Sequence, residues 1–312
     1  MLAAALAEHD PEKWYRFSDK IMLNQKIRSR VPMASPDRFL LAAVMGWPIS
    51  QSRSPMLHNF WFAQHGLAGS YVPLAIPPER LQTALRALPS LSFAGCNLTI
   101  PLKQEAMRIV DEVDITAKRI GAISCVVVRK DGSLSGSNND WYGFTHNILE
   151  FLPDWRADAG PVAVMGAGGG SRAVVYGLME RGAREIRLCN RTHARALTLA
   201  KEFGGPITVL PWEQRHDAVE GVAMLVNATS QGMIGQAALD LRLDKLPKSA
   251  LVNDIIYIPR ETPLIAAARE RGNRTVTGLG MLLHQGVPAW RAWFGIEPKV
   301  TAELRAKIEA TL

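Results

Sequence analysis

The sequence predicts an α/β protein built as two domains, and three observations carry that prediction. At 312 residues the chain is long enough for two separate cores. From Phe39 onward, short apolar runs alternate with segments of helical periodicity, the pattern of parallel sheets covered by helices on both sides. The most regular stretch, Val162 to Cys189, reads strand, glycine-rich loop, helix, strand, which is a βαβ unit.

Taken in order, residues 1–37 stand apart as an N-terminal extension of unknown role. They are polar, lack clean periodicity, turn basic between Lys20 and Arg30, and hold Met22 and Met33 as alternative starts. Phe39–Gly46 is a buried-strand run. Ser54-Pro55 supplies an N-cap and a proline at the first helical position, and Gly66 closes that helix. Tyr71–Ile76 and Phe93–Ile100 read as strands, with a helix over Pro78–Leu88 between them. Asp131-Gly132 divides two apolar runs, the signal of a two-residue hairpin. A helix over Trp141–Phe151 precedes the βαβ unit: strand Val162–Met165, loop Gly166–Gly170, helix Ser171–Arg181 and strand Glu185–Cys189. Strands at Met224–Asn227 and Ala250–Asp254 continue the alternation. The tail is helical, first Met281–Trp293 and then a last helix with Val300, Leu304 and Ile308 on one face.

Bulk properties narrow the function. A chain that is 47% apolar and 21% charged reads as an ordinary globular protein. It holds no apolar run approaching the roughly 18–20 residues that span a bilayer. The opening Met1–Asp10 lacks a basic n-region, so no secretory signal is expected. Cys96, Cys125 and Cys189 are far apart and form no CxxC, which argues against disulfides or a zinc knuckle and suits a reducing cytoplasm. The seven histidines lack metal-ligand spacing, so no metal is expected. The net charge of +7 is scattered and forms no aromatic-interleaved basic stripe, which argues against nucleic acid. It leaves two readings, a protein that handles anions or plain solvation of helix surfaces.

The glycine loop points to a nucleotide. Gly166-Ala167-Gly168-Gly169-Gly170-Ser171 follows a strand and opens a helix. Glycines there let the backbone approach a pyrophosphate, and the helix N-terminus offers unpaired N–H groups and a positive dipole end. The end of the next strand selects the nucleotide. Sites for NAD place a carboxylate there to bind the ribose hydroxyl. This chain has Asn190, Arg191, Thr192 and then Arg195. A guanidinium pairs with a 2′-phosphate through two hydrogen bonds, so the cofactor expected is NADP(H).

Polar clusters in apolar surroundings mark the other half. Ser52 and Ser54 flank Arg53 ahead of a helix, a place where hydroxyls and N–H groups can hold a carboxylate. Lys103 falls in the first turn of a helix expected to start at Pro101. A lysine is unfavourable at that positive dipole end, and Asp140 is the acid expected to compensate it.

Several ordered motifs resemble the shikimate/quinate dehydrogenase family. Gly46–Asn59 (GWPISQSRSPMLHN) is similar to its substrate-binding signature, and Gly95–Lys103 (GCNLTIPLK) to its G-x-N-[VL]-T-x-P-x-K element. The likeness continues through Asn138–Asp140, the GAGGGSRA loop, Asn190–Arg195, Asn227–Met233, Asp254–Pro263 and Gly278–Gln285. The resemblance implies an α/β substrate domain (38–139 plus 279–312), a doubly wound Rossmann NADP domain (140–278) and an active site in the cleft between them. It implies that Ser52 and Ser54 hold a ring carboxylate, Thr99 lines the pocket, Tyr257 and Gln285 complete the ring site, and Ile255 and Gly278 contact the nicotinamide end. Lys103 and Asp140 become the catalytic pair, the lysine exchanging a proton with the alcohol and the carboxylate orienting it.

Two positions depart from the family pattern: Ser124 stands where an Asn that reads a ring hydroxyl is usual, and Asn139 where a Thr is usual. The function expected is reversible reduction of 3-dehydroshikimate to shikimate, or of a closely related cyclic hydroxy acid, in aromatic amino acid biosynthesis. The alternatives are a quinate or aminoshikimate-type dehydrogenase, or a catalytically weak NADP-binding regulator. The partner expected is a small ring carboxylate, with no nucleic acid and no membrane, handled by a monomer or homodimer.

Overall fold

The computed structural model describes residues 39–312. The N-terminal extension, its basic stretch and its internal methionines lie outside the described residues.

The first half runs β1 (Leu40–Gly46), α1 (Ser54–Gln64), β2 (Gly69–Ala75), α2 (Leu81–Ala87), β3 (Phe93–Leu98), β4 (Glu112–Val113), α3 (Ile115–Ile120), β5 (Cys125–Val128) and β6 (Leu134–Ser137). These strands form one sheet in the order β2-β1-β3-β5-β6-β4. It is mixed rather than wholly parallel. β1 pairs parallel with β2 and β3, but β5 runs antiparallel to β3 and β6 antiparallel to β5. The hairpin accounts for the β5–β6 pair, since a direct return cannot produce parallel neighbours. Alternation along β1 feeds two cores. Ala42 and Val44 pack with Leu57, Trp61 and Trp290, and Ala43 and Met45 with Leu81, Leu85 and Leu102.

The chain then continues through α4 (Asp140–Phe151), β7 (Val162–Met165), α5 (Gly169–Glu180), β8 (Ile186–Cys189), α6 (His193–Phe203), β9 (Ile207–Leu210), β10 (Met224–Asn227), β11 (Leu251–Asp254), α7 (Pro263–Glu270) and β12 (Arg274–Val276). All six strands pair in parallel, in the order β12-β11-β10-β7-β8-β9. The chain winds outward from β7 in both directions, so a crevice opens between β7 and β10 at their C-terminal ends. Alternation again splits the faces: Val162 and Val164 enter one core, Ala163 and Met165 the other.

The last elements, α8 (Leu279–Phe294) and α9 (Ala302–Glu309), return to the first sheet. Trp290, Leu304 and Ile308 are fully buried in the core they share with Ala42 and Val44. Helix α4 joins the halves. Its Phe144 and Ile148 belong to the second sheet's core, and Tyr142 packs on the first. Gly143 lets it lie directly on α8, because a Cβ there would sit 2.4 Å from the Met281 carbonyl.

Two local expectations are corrected. The hairpin closes through the five residues Arg129–Ser133 and not a two-residue turn, because Asp131 Oδ1 accepts both the Ser133 N–H (3.0 Å) and its hydroxyl (2.6 Å). No α-helix starts at Pro101: residues 100–104 form turns ahead of a short 3₁₀ segment at Glu105–Arg108. The Lys103 carbonyl, which a helix would need, instead accepts the Ile123 N–H at 2.8 Å.

Candidate active site

Lys103 and Asp140 meet. The lysine Nζ lies 2.5 Å from Asp140 Oδ2, and the side chains are 18% and 3% exposed, so the acid is sealed and only the amine reaches outward. With no helix beginning at Pro101, the anticipated conflict at Lys103 disappears. It is Asp140 that occupies a helix N-terminus, the first residue of α4, where the dipole favours a carboxylate.

One segment, Ile120–Ser124, supports both members of the pair. Ile123 N–H holds the Lys103 carbonyl. Asn138 Nδ2 donates to the Ala122 carbonyl (2.9 Å), while its Oδ1 accepts the Asp140 N–H (3.0 Å). Ser124 Oγ accepts the Asn139 N–H at 2.8 Å. The two positions that depart from the family pattern are therefore bonded to each other, next to the acid. The same segment is gripped from α5: Arg172 is 7% exposed, and its guanidinium donates to the Ile120 carbonyl and to Glu202.

The remaining polar residues of the first half gather at the C-terminal ends of β1 and β3. Thr99 follows β3, its N–H donating to Met45 (2.9 Å), and it packs so closely on Gly46 that a Cβ there would fall 2.4 Å from its methyl. Ser52 Oγ accepts the Ser54 N–H at 3.3 Å, and no side-chain capping bond forms at the start of α1, contrary to the N-cap expected of Ser54. Gln285 lies on α8 against Gly143, one turn from Asp140. Among the described residues no protein group bonds to the side-chain polar atoms of Ser54, Thr99 or Gln285, and none of these is a buried unpartnered atom. Tyr257 follows β11 yet packs on the first sheet's core, and burial raises its phenol pKa.

In the second half the glycine loop lies at the end of β7. Gly166 has φ +112°, and a Cβ on Gly168 or Gly169 would meet nothing within 4 Å, so the loop is open above. The loop is held from below. Asn190 Oδ1 accepts the Ala167 N–H (3.0 Å), and the fully buried Ser171 hydroxyl accepts from Gly168 and donates to the Ala228 carbonyl, both 3.2 Å. Ser171 can therefore offer a ligand its backbone and not its hydroxyl. Gly170, Ile255 and Gly278 come together: a Cβ on Gly170 would meet Ile255 Cδ1 at 2.9 Å, and one on Gly278 would strike the Ile255 carbonyl at 2.1 Å. Arg191, Thr192 and Arg195 are exposed around the start of α6. Sequence reasoning missed Asp254, which is buried and accepts from Asn227 Nδ2 (3.1 Å), the Thr262 hydroxyl (2.7 Å) and the Ile256 N–H (3.0 Å). It fixes the loop carrying Ile255 and Tyr257. Asn97 was also missed. It accepts the Tyr71 hydroxyl (2.7 Å) and donates to the Ser124 carbonyl (3.1 Å). A carboxamide inside an otherwise apolar strand was the available signal.

Comparison with known proteins bears on this geometry. The family model described as shikimate dehydrogenase substrate binding domain matches residues 44–126, shikimate / quinate 5-dehydrogenase matches 154–263, and the shikimate 5'-dehydrogenase C-terminal domain matches 278–302. The chain is 54% identical over 266 residues to the shikimate dehydrogenase (NADP(+)) of Paramagnetospirillum magneticum, covering 85% of this chain and 96% of that protein. The chain belongs to the shikimate dehydrogenase family. A second relative, the shikimate dehydrogenase (NADP(+)) of Rhodospirillum rubrum, is 50% identical over 272 residues, 86% of this chain and 96% of that one. Among solved structures, shikimate 5-dehydrogenase of Thermus thermophilus in complex with NADP(H) and shikimate superposes with a TM-score of 0.78 at 36% identity, covering 88% of this chain and 100% of that one. Quinate dehydrogenase of Corynebacterium glutamicum in complex with NAD superposes with a TM-score of 0.81 at 30% identity, again over 88% and 100%. The family fold thus serves more than one ring acid and more than one nicotinamide nucleotide.

Proposed function

We propose that this chain interconverts 3-dehydroshikimate and shikimate with NADP(H), at a site whose reacting group is the Lys103 amine. The observation that carries the reading is the Lys103–Asp140 contact of 2.5 Å, with the carboxylate buried and the amine partly open. NADP(H), when bound, supplies or accepts the hydride. Lys103 faces the carbonyl oxygen, stabilises the negative charge that grows there and hands it a proton; in the reverse direction it receives the proton of the alcohol. Asp140 keeps the amine aimed. Ser52 and Ser54 hold the ring carboxylate, and Thr99, Ser124, Tyr257 and Gln285 read the ring.

For the cofactor, the open space above Gly168 and Gly169 fits a pyrophosphate approaching the start of α5. Arg191 and Arg195 are two exposed cations crowding the positive end of α6, an arrangement that an added phosphate dianion relieves. Asn190 and Thr192 flank them, and Ile255 and Gly278 border the nicotinamide end. We divide the chain at this site, with 38–139 plus 279–312 as the substrate domain and 140–278 as the NADP domain. The burial of Trp290, Leu304 and Ile308 in the first sheet's core supports returning the tail to the substrate side. The three cysteines are free and buried, which suits cytoplasmic work; the assembly proposed is a monomer or homodimer. Among the described residues no helix is long and apolar enough to cross a membrane.

The assembled pair favours an enzyme over a regulator that has lost catalysis. The test is a panel of shikimate and quinate with NADP⁺ and NAD⁺ at alkaline pH. The highest kcat/KM is expected for shikimate with NADP⁺, and turnover of no ring acid would overturn the reading.

A further inference from the structure

Arg53 separates the two serines assigned to the ring carboxylate, yet its guanidinium is engaged elsewhere. Its Nε donates to Thr311 Oγ1 (3.0 Å), its Nη2 to the Thr311 carbonyl (2.8 Å) and its Nη1 to the Gln51 carbonyl (3.2 Å). Thr311 lies two residues past α9, and its hydroxyl also donates to the Ile308 carbonyl at 2.8 Å. The cation therefore caps the C-terminal, negative end of that helix. Helix α9 is a firm anchor, because Leu304 and Ile308 are fully buried against the first sheet's core and Thr301 caps its N-terminus through the Leu304 N–H (3.2 Å). A second tie converges on the same place. Arg260, in the loop that carries Tyr257, pairs with Glu309 at 3.5 Å. The short loop Gln51–Ser54 is thereby tied to the end of α9 through the Arg53 guanidinium, and the loop carrying Tyr257 is tied to the same helix end through Arg260.

We infer that the C-terminal end of α9 positions the substrate-carboxylate site through Arg53, so that residues with no contact to substrate set the affinity for the ring acid. Arg53 is a positioning residue here. Its guanidinium is spent on Thr311 and Gln51, and its main-chain geometry aims the hydroxyls on either side of it. The inference rests on the assignment of Ser52 and Ser54 in the proposed function.

The test compares Arg53→Met, Arg53→Lys and a chain ending at Ala310, singly and with Arg53→Met combined with the truncation. Loss of hydrogen bonds to a charged group predicts a rise of about tenfold in KM for shikimate in Arg53→Met and in the truncated chain. The combined variant should be no worse than the truncated chain alone, because truncation already removes both Thr311 acceptors of Arg53, together with Leu312 from the core. Arg53→Lys should recover part of the loss, while kcat at saturation and KM for NADP⁺ stay at the parent values in the truncated chain. If Arg53→Met raises KM and truncation does not, the guanidinium binds the carboxylate itself and the inference falls. It also falls if neither variant changes KM, or if KM for NADP⁺ and kcat shift as far as KM for shikimate. Amide exchange provides a readout independent of turnover: the 49–54 segment should exchange faster in the truncated chain, with the 166–171 loop unchanged. Faster exchange in a protein that turns over no ring acid would keep the tether and reject the proposed function. Unchanged exchange would reject the tether.

Discussion

The two sheets solve their binding problems differently. In the second sheet, six parallel strands end together and the loop after β7 presents backbone, with Gly168 and Gly169 leaving space and Asn190 and Ser171 bracing it from beneath. In the first, a mixed sheet presents side chains, and the decisive contact joins residues 37 positions apart. Backbone recognition suits a phosphate common to many nucleotides, whereas side chains must aim at one ring and one proton. A substitution around the Lys103–Asp140 pair should therefore change turnover and ring affinity, and one around the glycine loop or at Arg191 should change cofactor affinity.

That division can be broken or sharpened by experiment. The largest effect expected is on turnover. Asp140→Asn keeps the shape and removes the charge that orients Lys103, so kcat should fall by about 10²–10³, with the NADP dissociation constant unchanged by titration. Arg191→Ala should raise KM for NADP⁺ by about tenfold and leave KM for NAD⁺ unaltered, since only the former carries the 2′-phosphate. A similar rise for both nucleotides would break the comparison. Ser124→Ala removes the acceptor of the Asn139 N–H beside the acid and should raise KM for the ring acid by about fivefold, measured at saturating NADP⁺.

The smallest effect concerns stability and belongs to the first sheet's core. His58 is buried, stacks on Tyr71 with centroids 4.0 Å apart and accepts the Trp290 indole N–H at 2.7 Å. Burial lowers its pKa from 6.5 to about 3. The unfolded chain therefore binds a proton that the folded one refuses between these values. The stability contribution is complete above the unfolded value and is lost as pH falls from 6.5 toward about 3. The unfolding midpoint should drop between pH 7 and pH 5, and His58→Asn, which retains an acceptor for Trp290, should flatten that drop.

Much of the architecture was legible because it is written locally. The glycine loop, the apolar runs of β1, β7, β10 and β11, and the face shared by Leu304 and Ile308 are patterns of adjacent residues. The failures have physical causes. β9 and β12 are short edge strands whose residues are mostly half-buried or exposed, so they carry no continuous apolar run. The helix expected at Pro101 was lost to a bond from Ile123, 20 positions after Lys103, which no local pattern encodes. At the site, Lys103 and Asp140 were visible as charges needing each other, whereas Asn97, Asn138, Arg172 and Asp254 act by bonding to distant backbone or to distant side chains. Their partners become neighbours only after folding. Ser171 shows the converse: it lies in the first turn of α5, as the motif implies, but its hydroxyl is turned inward.

The central claim is that the Lys103 amine exchanges the proton while the glycine loop independently holds the nucleotide. Its most direct test is the turnover of shikimate by Lys103→Ala, measured with the NADP⁺ dissociation constant on the same preparation. The account predicts a fall in kcat of about 10³ or more with nucleotide binding intact. Turnover within a few-fold of the parent chain would contradict it.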